Sequence, residues 1–243
     1  MYPFISRQAM RNGRKKPVER HDALILMGKA PLTGTVKTRL CPPLSGREAA
    51  ALYACLLEDV AEEAGRIRGV RRLLFYTPPE SGNRFRSETF AAFRLRPQSG
   101  TGLGERMESA MDEAFACGAR KVVVIGSDCP ALSADRIRGA FRELSNAAGV
   151  VFGPAVDGGY YLLGAGAPVP FLFRDIEWGG PAVLGDSVMR CRDAGIPYAL
   201  LPPESDVDTA EDLASLRRWL RTHTHPACPR TRKWLGATLR NPE

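Results

Sequence analysis

Aspartates follow two predicted strands of the chain, at positions where carboxylates often bind metal ions. Asp128 comes just after the apolar segment that ends at Gly126, and Asp206 and Asp208 stand one residue apart between a predicted strand and a predicted helix. The carboxyl ends of strands in an open α/β sheet form its ligand crevice. Asp128 and Asp208 are therefore candidate catalytic residues and ligands of Mg²⁺ or Mn²⁺, which prefer oxygen donors. The alternative is that they only cap the following helices.

A loop rich in glycine and cationic residues follows the first predicted strand. It spans residues 28–40 and contains Lys29, Lys37 and Arg39. Cationic side chains in such a loop suit phosphate, because they offset the charge on a diphosphate leaving group. The loop is not a Walker A motif, since no glycine precedes Lys37. Residues 100–107 lack the third glycine of a dinucleotide-binding turn, which disfavours a nicotinamide enzyme.

A second group of candidate residues lies between two later strands. The segment Asp157-Gly158-Gly159-Tyr160 is explained equally well by a hairpin turn and by close approach of the backbone to a ligand. In the second case Asp157 would polarise an acceptor hydroxyl, and Asp157 and Asp206 are both candidate catalytic bases. Trp178 follows a predicted turn and either stacks on a sugar or base or belongs to the interior. We assign the segment and Trp178 to the acceptor side.

Short apolar runs alternate with segments of helical periodicity, which predicts βα units in a single three-layer α/β domain with a mostly parallel Rossmann-like sheet. Strands are predicted at 23–28, 70–76, 93–96, 121–126, 150–153, 160–164 and 198–201. Helices are predicted from Ser45 through Val60 and at 103–117, 133–144, 181–194 and 209–221. Ser45 with Glu48, and Thr209 with Asp212, have the spacing of a capping box.

The net charge of +7 belongs to the two ends of the chain. Residues 1–20 carry six basic and one acidic side chain, residues 217–243 carry seven and one, and the remainder carries 21 against 25. We therefore predict a basic N-terminal tail at 1–21, the domain at 22–221 and a basic C-terminal tail at 222–243. Because the basic charge lies in predicted tails and not along a folded face, nucleic acid is disfavoured as a partner.

The cysteines and the hydropathy pattern indicate a cytoplasmic protein. The six cysteines form no C-x-x-C pair, and free thiols are typical of the cytoplasm. The basic N-terminal segment is not followed by the apolar region of a signal peptide, and no run approaches the length of a membrane span. We expect neither secretion nor a membrane partner.

Successive motifs of the chain resemble those of a bacterial GT-A-like transferase family, described as selenodomain-associated or arsenosugar-biosynthesis glycosyltransferases. This family is similar in fold to the molybdenum-cofactor and phospholactate guanylyltransferases. The resemblance covers about residues 22–220, and one departure is Gly102, where the family commonly has aspartate. The motifs are Met27-Gly28-Lys29-Ala30-Pro31, Gly34-Thr35-Val36-Lys37-Thr38-Arg39-Leu40, Leu103-Gly104-Glu105-Arg106-Met107, Ile125-Gly126-Ser127-Asp128-Cys129-Pro130, Gly153-Pro154-Ala155-Val156-Asp157-Gly158-Gly159-Tyr160-Tyr161 and Asp206-Val207-Asp208-Thr209.

The resemblance implies a nucleotide-diphospho-sugar transferase (GT-A) fold, a divalent cation and a nucleotide bound over the first strands. It implies that Lys37 and Arg39 contact phosphates, that Asp128 is the principal metal ligand and that Asp208 is a second acidic residue at the metal or acceptor. Lys29, Gly104 and Arg106 belong to the same motifs, and we assign them to the nucleotide and its phosphates.

Three functions are compatible with these residues. The first is metal-dependent transfer of a sugar from a nucleotide-diphosphate sugar to a small acceptor, with the metal stabilising the departing nucleoside diphosphate. The second is nucleotidyl transfer, in which a phosphorylated small molecule attacks a nucleoside triphosphate and pyrophosphate departs. The third is nucleotide binding without catalysis, which the retained Asp128, Asp208 and Lys37 disfavour.

Overall fold

A seven-stranded sheet forms the centre of the computed structural model, which describes residues 20–146, 148–222 and 228–238. The strands are His21–Lys29 (β1), Val70–Thr77 (β2), Arg94–Pro97 (β3), Ala119–Ile125 (β4), Val150–Pro154 (β5), Tyr160–Ala165 (β6) and Tyr198–Leu200 (β7). Each strand that the sequence predicts is present, and its ends lie within two residues of the predicted ones.

The strand order is β3-β2-β1-β4-β6-β5-β7, and every pairing is parallel except those of β6. β6 runs antiparallel to both β4 and β5. The predicted mostly parallel α/β sheet is confirmed. β1 is buried on both faces from Ala23 to Met27, as expected for a central parallel strand. The carboxyl ends of β1 and β4 therefore lie side by side at one edge of the sheet.

Helices cover both faces of the sheet and complete the predicted three layers. They are Gly46–Gly65 (α1), Leu103–Ala116 (α2), Ala134–Ser145 (α3), Val183–Asp193 (α4), Ala210–Thr222 (α5) and Pro229–Thr238 (α6). On β1, Leu24 and Leu26 face the core beneath α1 and α3, whereas Ala23 and Ile25 face the core beneath α2 and α4. The period of two along the strand thus divides the apolar core into two layers.

Both capping boxes predicted from the sequence are present. Ser45 Oγ accepts a hydrogen bond from the Glu48 amide, and the Glu48 carboxylate accepts one from the Ser45 amide at 2.7 Å. Before α5, Asp212 Oδ2 accepts from the Thr209 amide at 2.7 Å and Thr209 Oγ1 accepts from the Asp212 amide at 3.2 Å. These reciprocal bonds satisfy donors that a helix start leaves without partners.

The C-terminal helix α6 differs from the solvated tail that the sequence predicts for residues 222–243. α6 packs against α1, and Asp59 of α1, which is 1% exposed, accepts hydrogen bonds from the amides of Arg230 and Thr231 at 3.0 and 2.9 Å. A carboxylate from another helix thus caps the start of α6. The predicted N-terminal tail lies outside the described residues except for Arg20 and His21, where β1 begins.

A third apolar cluster, which we name the C-terminal cluster, joins α1, α5 and α6 to the loop after β1 and to the segment before α5. Its buried members are Leu40, Leu44, Ala49, Leu52, Leu56, Val207, Leu213, Leu216, Leu220, Cys228 and Leu235. Trp219 and Trp234 pack against it. In the described ranges, no helix is both long enough and apolar enough to cross a lipid bilayer.

Candidate active site

A cleft of about 480 Å³ opens at the carboxyl ends of β1 and β4. Its walls come from the loop after β1, the segment after β4, the turn between β5 and β6, the segment around Trp178, and residues 206–208. The predicted residues Lys29, Lys37, Asp128 and Asp208 all line it. The cleft therefore lies where an open α/β sheet is expected to bind its ligand.

Lys37 lies between the two candidate metal ligands. Its Nζ donates a hydrogen bond to Asp128 Oδ2 at 2.8 Å and lies 3.5 Å from Asp208 Oδ1. Arg39 Nη1 donates to the other oxygen of Asp208 at 2.6 Å. The Lys37 side chain is 5% exposed, whereas that of Arg39 is 69% exposed. The structure thus pairs Lys37 and Arg39, two of the cations assigned to the phosphates, with the two candidate metal ligands.

The surroundings of the buried Lys37 and the partly exposed Asp128 favour the charged form of each. Burial alone would lower the pKa of Lys37, but the charge and hydrogen bond of Asp128 and the charge of Asp208 together outweigh it and raise that pKa above its ordinary value. Burial alone would raise the pKa of Asp128, but Lys37 outweighs it and lowers that pKa.

Lys37 also has a left-handed backbone, with φ of 50° and ψ of 36°, which residues other than glycine rarely adopt. Such conformations cluster at functional sites.

The segment 206–208 is fixed by the residue between its two aspartates. The Val207 amide donates to the Asp128 carbonyl at 3.1 Å, and the Val207 side chain, 2% exposed, lies in the C-terminal cluster. Asp206 and Asp208 both line the cleft. Burial, followed by the charges of Asp128 and Asp157, raises the pKa of Asp206 to about 6. The concentration of carboxylates makes this end of the cleft suited to cations.

A buried hydrogen-bonded group that the sequence does not reveal lies beneath the acidic residues. Tyr53 of α1 is 3% exposed, and its hydroxyl accepts from the Lys29 amide at 2.9 Å and lies 2.8 Å from Ser127 Oγ. Ser127 directly precedes Asp128, so the phenol joins the end of β1 to the segment that carries the aspartate. In the sequence Tyr53 belongs to the apolar face of a helix and is indistinguishable from an ordinary core aromatic.

Gln98 is a second cleft residue that the sequence analysis missed. It follows β3, and its Nε2 donates to the carbonyl oxygens of Gly28 at 3.1 Å and Phe75 at 2.8 Å. These bonds tie together the region where β1 and β2 end. A glutamine after a short strand carries no pattern that predicts such a role.

The other residues assigned to the nucleotide, Gly104 and Arg106, lie in the first turn of α2. Arg106 lines the cleft, and its Nε donates to the Gly100 carbonyl at 2.9 Å. Gly104 is buried against the indole of Trp178, since a Cβ atom there would lie 2.2 Å from Trp178 Nε1. Close packing thus explains a glycine at position 104, whether or not a nucleotide lies nearby.

The residues assigned to the acceptor side form a turn that also lines the cleft. Asp157 Oδ1 accepts a hydrogen bond from the Gly159 amide at 2.9 Å. Gly158 has φ of +93°, and a Cβ atom at this position would clash with the Pro181 carbonyl oxygen. The hairpin interpretation is therefore correct for the backbone. Asp157, Gly159 and Tyr160 nevertheless line the cleft, so a turn and a cleft wall are made by the same residues.

Trp178 belongs to an aromatic group at this wall. Its ring stacks near that of Phe173, with centroids 6.2 Å apart and 16° between the planes, and meets the Tyr160 ring edge-on at 6.1 Å. Trp178 is partly buried and lines the cleft. The interior interpretation therefore holds for part of the ring, and stacking on a sugar or base stays a prediction for the part that lines the cleft.

The carboxylate oxygens at this end of the cleft are suitable ligands for a divalent cation whose other ligands come from a substrate phosphate. Within the described residues there is no group of three His, Cys, Asp or Glu side chains arranged to hold a metal ion by themselves. Mg²⁺ is commonly held by one or two carboxylates while substrate phosphates and water supply its other ligands. Asp128 and Asp208 could supply those carboxylates, and their oxygens now face Lys37 and Arg39.

Comparisons with known proteins agree with this architecture. A family model described as an uncharacterized protein conserved in bacteria (DUF2064) matches residues 60–180. The crystal structure of a "putative nucleotide-diphospho-sugar transferase" from Desulfovibrio desulfuricans G20 superposes with a TM-score of 0.83 and 31% identity, covering 90% of this chain and 96% of that one. A search of curated proteins found no match.

More distant structures share the fold. A 4-diphosphocytidyl-2C-methyl-D-erythritol synthase superposes with a TM-score of 0.55 and 12% identity, covering 83% of this chain and 99% of that one. A cytidylyltransferase from Leptospira borgpetersenii has a TM-score of 0.52 and 12% identity, covering 92% and 96%. The predicted nucleotide-diphospho-sugar transferase fold is confirmed, and the name of the Desulfovibrio protein agrees with the prediction of a transferase.

Proposed function

The chain belongs to the DUF2064 family of bacterial proteins, and from this premise we propose that it is a metal-dependent glycosyltransferase. It transfers a sugar from a nucleotide-diphosphate sugar to a small-molecule acceptor. The similar Desulfovibrio protein carries a nucleotide-diphospho-sugar transferase name, which supports this class of donor.

The observation that carries the proposal is the placement of Lys37 between Asp128 and Asp208 in the cleft. A buried cation beside two carboxylates supplies both kinds of group that a metal-bound diphosphate needs. The cationic groups of Lys37 and Arg39 would offset the negative charge that develops on the diphosphate as the sugar departs. The low exposure of the Lys37 side chain, 5%, strengthens its share of these interactions.

Asp128 and Asp208 would hold the Mg²⁺ or Mn²⁺ ion, which when bound supplies positive charge to the leaving diphosphate. Lys29 lines the same end of the cleft and is a further candidate for the phosphates. Arg106 and Gly104 lie at the start of α2, on the side assigned to the nucleotide.

The opposite wall is suited to a hydroxylated acceptor. Tyr160 and Trp178 present aromatic surface on which a sugar ring can stack. Asp157, next to the turn glycines, would accept the proton of the attacking hydroxyl or orient it. Asp206 is the second candidate for this role, since its raised pKa of about 6 lies close to neutrality.

The test is a thermal-shift screen followed by product analysis. The protein is heated with UDP, GDP, CDP and ADP sugars and with the four nucleoside triphosphates, each with and without Mn²⁺ or Mg²⁺. A ligand that binds only the folded state raises the melting temperature. We expect a metal-dependent shift with one class of nucleotide sugar and release of its nucleoside diphosphate.

Other products would identify another function. Release of pyrophosphate from a triphosphate would make the protein a nucleotidyltransferase. Metal-independent binding of a nucleotide without turnover would make it a non-catalytic nucleotide-binding protein. No shift with any of these ligands, in folded protein, would contradict the proposal.

A further inference from the structure

We infer that Lys37 is the resident counter-ion of the two metal-binding carboxylates and must leave them before a metal ion binds. Metal and diphosphate would then bind interdependently, because the phosphate supplies the displaced ammonium with its new partner. This inference rests on the proposed function, since it assumes that Asp128 and Asp208 are the metal ligands.

The first step is competition for the same oxygens. Lys37 Nζ lies 2.8 Å from Asp128 Oδ2 and 3.5 Å from Asp208 Oδ1. Asp128 and Asp208 would hold the metal ion, and an ion held by both would lie close to this ammonium. Two like charges a few ångströms apart repel strongly where water is scarce, and the Lys37 side chain is 5% exposed. Metal and ammonium therefore exclude one another from this position.

The second step is charge balance. Asp128 and Asp208 carry two negative charges, and Lys37 and Arg39, which contact them, carry two positive ones. A divalent ion that entered alone would leave both cationic side chains without partners beside it. A metal ion that enters together with a diphosphate brings compensating negative charge. The local charges therefore favour joint entry over entry of the metal alone.

The third step is the freedom of the lysine side chain within a fixed backbone. The Lys37 carbonyl accepts a hydrogen bond from the Leu40 amide at 3.0 Å, and Leu40 is fully buried in the C-terminal cluster. The backbone of this turn is thus held in place. The four-carbon stem of lysine has several rotatable bonds, so the ammonium can move to a phosphate while the backbone stays still.

The test is a titration of the protein with Mn²⁺, with and without a nucleoside diphosphate. The concentration of free Mn²⁺ is measured by electron paramagnetic resonance. The wild-type protein is compared with Lys37→Met, which keeps an apolar stem and removes the charge. We expect wild-type protein to bind Mn²⁺ weakly alone and more tightly with the nucleotide. Lys37→Met should bind Mn²⁺ alone at least about tenfold more tightly than wild type, because the competing ammonium is gone. The nucleotide should strengthen its Mn²⁺ binding less than it does in wild type.

Two controls accompany the titration. Lys121→Met makes the same substitution on β4 at a partly buried lysine that bonds Ser145, outside the cleft, and should leave Mn²⁺ affinity unchanged. Arg39→Met removes the more exposed cation of Asp208 and should change affinity less than Lys37→Met does. Circular dichroism of each variant verifies that it is folded, and a Lys37→Gln variant replaces Lys37→Met if the latter does not fold.

The outcomes separate this inference from the proposed function. If wild-type protein binds Mn²⁺ with nucleotide and the Lys37 variant binds Mn²⁺ alone no better than wild type, the inference is wrong and the proposed metal site stands. Tight, nucleotide-independent binding of Mn²⁺ by wild-type protein would likewise overturn the inference alone. If wild-type protein binds no Mn²⁺ with any nucleotide, the proposed metal dependence fails and the inference fails with it.

Discussion

The two candidate metal ligands, Asp128 and Asp208, have different ionic partners. Their substitution should therefore lower the unfolding free energy by different amounts. The two carboxylates are similarly exposed, at 36% and 38%, but Asp128 is the close partner of a buried lysine, whereas Asp208 pairs more closely with an exposed arginine. We expect Asp128→Asn to cost about 2 kcal/mol of unfolding free energy, since Asp208 remains near Lys37. Asp208→Asn should cost less than about 1 kcal/mol. Urea denaturation measures both.

Both variants should nevertheless lose the metal-dependent thermal shift produced by the nucleotide. The shift is measured against the melting temperature of each variant by itself, so that a loss of stability is not mistaken for a loss of binding. An unchanged shift in Asp128→Asn would remove this residue from the metal site.

Tyr53 is expected to stabilise the floor of the cleft through its hydroxyl. Tyr53→Phe leaves the Lys29 amide and the buried Ser127 hydroxyl short of a partner. We predict a loss of about 1–2 kcal/mol in unfolding free energy, measured by urea denaturation. Tyr198→Phe is the matched control, because its hydroxyl accepts one bond from Arg192 near the surface and should matter little. Equal costs for the two variants would contradict the prediction.

Sequence patterns reveal site residues whose type is unusual for their place, and miss those whose type is ordinary. An aspartate directly after a buried strand, such as Asp128, is conspicuous, and so is a lysine in a loop after β1. Tyr53 and Gln98 act through contacts with segments distant in sequence, from Lys29 to Ser127 and from Gly28 to Phe75. Such contacts form only in the folded protein, and no residue spacing in the sequence predicts them.

At the level of elements, the start of α6 depends on a side chain from α1. Asp59→Ala removes the acceptor of the Arg230 and Thr231 amides. Because those donors are largely buried, we expect a loss of about 1–3 kcal/mol in unfolding free energy, measured by urea denaturation. Asp135→Ala is the control, because it removes a carboxylate in the first turn of α3 that is 91% exposed. It should lower the unfolding free energy by at most about 0.5 kcal/mol.

The same junction predicts a dependence on pH. A hydrogen bond from Arg230 Nη1 to Glu62 at 2.6 Å holds the pKa of Glu62 below its ordinary value of 4.5. A group whose pKa is lowered by folding stabilises the protein when the pH is above its ordinary pKa. This stabilisation is lost as the pH falls through the lowered pKa. The stability difference between wild type and Arg230→Ala should therefore shrink in acid.

Urea denaturation at pH 7 and at pH 3.5 measures this difference. Arg138→Ala, which breaks an ion pair with the exposed Asp135, is the control and should show a small difference at both values. A constant gap between wild type and Arg230→Ala would exclude Glu62 as the titrating partner.

The sequence predicts the strands and the first five helices well, because apolar periodicity and capping residues mark them. It does not predict α6, since basic residues such as Arg230, Arg232 and Lys233 dominate the segment and give it the composition of a solvated tail. The helix is held by few apolar residues, among them Leu235, and by a cap from another element. Nor does periodicity reveal that β6 runs antiparallel, because strand direction depends on the connection and not on the alternation of side chains.

At the level of the whole molecule, the C-terminal helix and the cleft share one apolar cluster. Leu40 follows Arg39 and Val207 precedes Asp208, and both lie with Leu235 in the C-terminal cluster. A chain that ends after Thr222 should lose more than about 2 kcal/mol of stability and also lose metal-dependent nucleotide binding. Calorimetry and the thermal-shift screen measure the two effects.

A chain that ends after Thr238 keeps α6 and serves as the control. If the shorter chain is destabilised yet binds nucleotide and metal as well as the control does, the cluster supports the fold without positioning the acidic segment. The wild-type residues beyond Thr222 would then be dispensable for the site.

The two walls of the cleft have different origins in the chain. Its lining residues on the acceptor side fall within the single stretch 155–183, while those opposite come from several separate segments between residues 27 and 208. Because β6 pairs with β4 and Trp178 packs on Gly104, only the side chains of this stretch that face the cleft can change without disturbing the groups assigned to nucleotide and metal. We predict that substitutions confined to those side chains alter the choice of acceptor and leave the choice of donor unchanged.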